Sequence, residues 1–80
     1  MRYTVVMVPD QDDGGYAVYV PAIPNCFTQA RTQEEGVERA ADVAAALLAS
    51  FAAHGEEIPG EGPGVVVDAI EVGVPEAMPA

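Results

Sequence analysis

The sequence predicts a small α/β (α+β-like) domain of β-β-β-α-β order, with one helix packed on one face of a small mixed sheet. Three observations carry this prediction. Short runs of β-branched and aromatic residues alternate with Gly, Pro, Asn and Asp clusters, the pattern of strands and turns. One long apolar stripe at spacings of three and four follows a capping signal, which marks an amphipathic helix. A Val-rich run then returns after a Gly/Pro loop.

The first strand covers Arg2 to Val8, with Tyr3, Val5 and Met7 on one face and Thr4, Val6 and Val8 on the other. Pro9 lacks a ladder donor and helps to end it. Asp10 to Gly15 is a turn in which acids bond nearby backbone and glycines accept positive φ, so Tyr16 to Val20 returns as the second strand of an antiparallel hairpin. Pro21 to Asn25 excludes a central strand and forms a tight connector, with Asn25 suited to a left-handed conformation. Cys26 to Ala30 forms a short third strand.

Thr32 is the expected helix N-cap, and Glu35 three residues later completes a capping box. Glu34 and Glu35 also suit the positive end of the helix dipole. Val37, Ala40, Ala41, Ala44, Leu47, Leu48 and Phe51 form the apolar stripe. His54 closes the last turn and Gly55 is a natural C′ residue. Gly36 is dissonant, costing about 1 kcal/mol against Ala. After a loop over residues 58–64, Val65 to Val72 reads as a fourth strand, placed beside the first. Residues 1–72 form the expected domain and residues 73–80 a loosely held tail. One sheet face then lacks cover, which points to association of copies as a homodimer or homotetramer. Oligomers are also a common reinforcement for a core as small as an 80-residue chain allows.

Charge narrows the function. Thirteen Asp and Glu face three Arg, with a net charge of −10. Such a chain repels phosphate backbones, whose binding depends on Lys and Arg, so direct nucleic-acid binding is not expected. The acidity is either a solvated surface that maintains solubility or a docking surface for a basic partner. The longest apolar run, residues 43–53, falls short of the roughly 20 residues that span a bilayer. No secretory signal precedes it, so a cytoplasmic location without membrane association is expected.

Chemistry is sparse. Cys26 is the single cysteine and suits a buried packing role, while His54 suits the negative end of the helix dipole. No third group is evident to orient a nucleophile and base. Asp10, Asp12 and Asp13 open like a calcium loop, and Gly15 occupies its sixth position. Pro21 stands where the twelfth-position glutamate belongs. No Cys or His pair offers a metal site, and no glycine-rich phosphate loop leads into a helix. No cofactor, metal or catalytic residue is expected, and the chain reads as a non-enzyme.

One series of motifs is more informative. Pro9-Asp10-Gln11-Asp12-Asp13-Gly14-Gly15-Tyr16, then Val20-Pro21-Ala22-Ile23-Pro24-Asn25-Cys26-Phe27-Thr28-Gln29, then Thr32-Gln33-Glu34-Glu35 resembles the HicB-like antitoxin (UPF0150-type) family. Each piece is weak alone, but the ordered series covers nearly half the chain. Asn25 stands where that family usually has Gly, Gly36 where it has Ala, and Ala30-Arg31 replaces its Gly-Asp. The resemblance implies a truncated RNase H-like fold, and a protein that covers the active site of a small basic RNA-cleaving toxin of the HicA type. Many family members add a DNA-binding domain, and this chain ends before one would begin. The second reading is a stand-alone, oligomeric binding module with a different partner or no toxin. For the first reading, the expected contact residues are Asp10, Asp12, Asp13, Glu34, Glu35 and Glu38, with Tyr16 and Tyr19 as aromatic anchors.

Overall fold

The computed structural model describes residues 1–62 and 64–75. Strands β1 (Val6–Pro9), β2 (Tyr16–Tyr19) and β3 (Phe27–Ala30) lead to a single helix, α1 (Gln33–Ala53). The strands form one sheet in the order β1-β2-β3. Both pairings are antiparallel, with Val6 opposite Tyr19 and Tyr19 opposite Phe27.

That register divides the sheet. Met7, Val18 and Thr28 occupy one cross-strand row and Pro9, Tyr16 and Ala30 another, both facing α1; Val6, Tyr19, Phe27, Val8, Ala17 and Gln29 face away. The core lies on the helix side. Val18, Val20, Ile23, Cys26, Ala30 and Ala40 are buried, and Tyr3, Val5, Met7, Leu47, Leu48 and Phe51 pack against them.

The first strand is shorter than expected. Residues 2–5 carry no ladder pairing, because the register would set Thr4 opposite Pro21, where the chain turns away from the sheet. Tyr3 and Val5 nevertheless keep their core contacts. The connector after β2 is itself structured. The Val20 N–H donates to the Cys26 carbonyl at 2.9 Å, and the Ile23 N–H to the Val20 carbonyl at 3.1 Å. Asn25 takes the left-handed φ of 62°, and Ile23 is driven into the core at 2% exposure.

The helix boundaries match the expected caps. Thr32 Oγ1 accepts from the Glu35 N–H at 3.1 Å. The other half of the capping box is replaced, since the Glu35 carboxylate meets Arg39 Nε at 2.9 Å. At the far end the Glu56 N–H reaches the Phe51 carbonyl and the Gly55 N–H the Ala52 carbonyl, a Schellman arrangement. The buried face begins at Gly36 and Ala40, whereas Val37 is 56% exposed. Ala40, Ala44, Leu47, Leu48 and Phe51 of the expected stripe meet the core, and Val43 joins them. The stripe departs from the sequence expectation at Val37 and Ala41, which are exposed, with Gly36 buried in place of Val37.

The largest departure is the fourth strand. The described sheet has three strands, so it is wholly antiparallel rather than mixed. Residues 65–72 have strand composition but no sheet pairing, with Val66, Val67, Ile70 and Val72 at 68–86% exposure. Composition favours an extended backbone, but a strand also needs a neighbour to pair with. The chain before this segment is held beside residues 3–4. Tyr3 donates its hydroxyl proton to the Pro59 carbonyl at 2.6 Å, and the Thr4 N–H and hydroxyl each donate to the Glu61 carboxylate at 2.7 Å. Gly62 and Gly64 then turn with positive φ, and the following residues lead away from the sheet. The expected tail lies in part outside the described residues.

Candidate partner-binding surface

The β1–β2 turn and the start of α1 are far apart in sequence and adjacent in space. The turn is fixed by Asp10, whose Oδ1 accepts from the Asp12 and Asp13 N–H groups at 3.0 and 3.1 Å. The Asp10 N–H in turn donates to the Gly15 carbonyl at 3.0 Å. The helix start is fixed by the Thr32 cap, and Gln33 Nε2 bridges the two by donating to the Tyr16 hydroxyl at 3.3 Å. Between them lies an open recess of about 250 Å³, bordered by Asp10, Asp13, Tyr16, Arg31, Glu35 and Arg39.

Four of the eight expected contact residues, Asp10, Asp13, Tyr16 and Glu35, therefore meet at one recess. Asp12 lies exposed at the turn beside it. Glu34 and Glu38 are exposed, one turn apart on the side of α1 opposite buried Gly36. The six carboxylates thus gather at one end of the molecule. Tyr19 is not among them: it stands on the uncovered sheet face, in register with Phe27 and Val6.

Two arginines also border the recess, Arg31 and Arg39, out of three in the chain. Arg39 is engaged by Glu35, an exposed pair worth under about 1 kcal/mol. Its i, i+4 spacing from Glu35 was readable in the sequence. Arg31 carried no such signal, because the third strand brings it to the recess only through tertiary packing.

The groups expected to be chemically quiet sit apart from this surface. Cys26 is buried at 5% exposure, and burial pushes its thiol pKa up. His54 is exposed at the helix end, with Nδ1 2.8 Å from the Ser50 carbonyl oxygen. Among the described residues, no three His, Cys, Asp or Glu side chains converge as a metal site, and no helix is long and apolar enough to cross a membrane.

No family model matches the chain. It is 42% identical over 59 residues to a UPF0150 protein of Thermoplasma acidophilum, an alignment covering 74% of this chain and 84% of that protein. It is 40% identical over 63 residues to Antitoxin HicB 1 of Photorhabdus laumondii, covering 79% of this chain and 40% of that protein. A UPF0150 protein of Archaeoglobus fulgidus shares 44% identity over 39 residues, covering 49% of this chain and 55% of that protein. With its ordered turn, connector and capped helix in place, and with a relative matched over most of both lengths, the chain belongs to the HicB-like UPF0150 family.

Proposed function

We propose that this protein is an antitoxin that acts by occupation, binding a small basic RNA-cleaving toxin of the HicA type and covering its active site. The observation that carries the reading is the acidic end. Asp10, Asp12 and Asp13 from the turn and Glu34, Glu35 and Glu38 from the helix outnumber Arg31 and Arg39 there. A concentrated negative field of this kind speeds encounter with a basic partner and fixes its orientation. It also disfavours nucleic acid, so the chain's role lies with a protein partner. The role is non-enzymatic, in keeping with a buried thiol held protonated and a histidine occupied at the helix end.

The test is co-expression with the small basic protein encoded beside this chain. The expected result is relief of that protein's growth arrest and a co-purifying complex. Four exposed carboxylates, Asp12, Asp13, Glu34 and Glu38, are then reversed to Lys. Asp10 and Glu35 are spared, because one fixes the turn and the other meets Arg39. Binding should weaken by on the order of tenfold or more, while the circular-dichroism spectrum stays unchanged. The salt sensitivity expected of the unmodified complex should shrink in the variant, because the attraction that salt screens has been removed. Unaltered affinity would remove this end as the contact.

The second reading, an oligomeric binding module with another partner or none, is favoured by the uncovered row of Val6, Tyr19 and Phe27. Phe27 is 64% exposed there. Failure of rescue despite soluble expression would select it.

A further inference from the structure

The helix carries more apolar surface than its own sheet covers. Along the edge of the buried stripe Val37, Ala41 and Ala45 are exposed, and with the half-buried Ala44 and Leu48 they face Tyr3 and Val5 across an open groove of about 540 Å³. The groove lies next to β1, which is an edge strand with β2 as its one neighbour among the described residues. An edge strand presents unpaired N–H and C=O groups to any further strand. A strand added along β1 would point alternate side chains into this groove.

The same chain carries a segment built as such a strand. In residues 65–74 the even positions read Val66, Asp68, Ile70, Val72 and Val74, an apolar face broken once. Val66, Ile70, Val72 and Val74 are 68–86% exposed, so none of them fills the groove of its own chain. The segment is rooted beside that groove, where Glu61 holds Thr4, and it is turned outward through Gly62 and Gly64. Ten extended residues reach about 33 Å at about 3.3 Å per residue, ample to cross to another molecule.

We propose that residues 65–74 form an exchanged arm: each copy lays its arm along β1 of a second copy, filling that copy's groove between β1 and α1. An apolar strand rooted at one edge and an unfilled groove at that same edge are the two halves of a reciprocal contact, the arrangement of a domain-swapped dimer. The ten arm residues and ten groove residues of each copy reach the about 20–30 residues a side of stable interfaces. The exchange supplies the fourth strand that the sequence predicts and the single chain does not pair, and it is independent of which toxin, if any, is bound.

The experiment is light scattering coupled to gel filtration, with amide exchange on the same samples. The full chain should run at twice its 8.3 kDa mass, with protected amides in residues 65–74. That protection should fall as dilution takes the sample through the dimer–monomer transition. A chain ending at Gly64 should be monomeric. The paired substitutions Ile70→Asp and Val72→Asp should give the same result at full length, with helical circular dichroism retained. Protected arm amides in a monomer, or protection insensitive to dilution, would mean that the arm folds back on its own β1 and would overturn the exchange. A monomer with unprotected arm amides, or a dimer that survives loss of the arm, would overturn it as well.

Discussion

Two adjacent glycines in the β1–β2 turn do different work. Both have positive φ, 75° at Gly14 and 73° at Gly15. A Cβ on Gly14 would meet nothing within 4 Å, whereas one on Gly15 would strike the Ala30 carbonyl oxygen and lie 3.3 Å from Arg31 Cα. Those are backbone atoms and cannot swing aside. Gly14→Ala should therefore cost about 1 kcal/mol, the left-handed penalty alone, and Gly15→Ala about 3 kcal/mol. Urea midpoints at constant m check the difference. The sequence marks both positions as turn glycines. It cannot rank them, because the neighbour that makes Gly15 strict comes from β3. Asn25 was easier to place, since few side chains tolerate its conformation and Asn is one of them.

At the scale of the helix, Gly36 shows why the buried face starts there and leaves Val37 exposed. An ideal Cβ there would lie 2.9 Å from Met7 Sδ and Cε and 3.3 Å from Val18 Cγ2. The helix approaches the sheet most closely at its smallest residue, which turns Val37 toward the groove. Helix propensity would favour Gly36→Ala by about 1 kcal/mol. The Met7 end can swing away at little cost, but Val18, at 1% exposure, has little room to give. The two effects nearly cancel, so Gly36→Ala should change stability by less than about 1 kcal/mol. Gly36→Leu should destabilise by about 1–3 kcal/mol through overpacking. Thermal or urea melts of the two variants test the pair.

Across the whole molecule, one carboxylate ties the loop after α1 to the segment before β1. Glu61 takes two hydrogen bonds from Thr4, 57 residues away in sequence. These bonds, the backbone one first, hold its pKa below the ordinary 4.5. In that window the unfolded chain binds the proton more readily than the folded one, so stability rises with pH. The contribution is fully present above the ordinary value and is lost as pH falls through the lowered one. Glu61→Gln should flatten the stability slope on the acid side, and urea melts between about pH 3 and 6 would show it. An unchanged slope would mean that the Thr4 contact does not persist in solution.

The sequence by itself determined the hairpin, the connector with its left-handed Asn25, the capped helix and the family, because each rests on local chemistry. Turn residues, N-caps and apolar periodicity act over a few positions and leave a readable trace. It also marked all six carboxylates of the acidic end, though not Arg31 beside them. Tertiary structure alone decided what depends on distant partners: the burial of Ile23, the burial of Gly36 in place of Val37 at the helix start, and the pairing of Thr4 with Glu61. It likewise left Val65 to Val72 unpaired, since composition can prepare a strand but only a neighbouring edge can complete one.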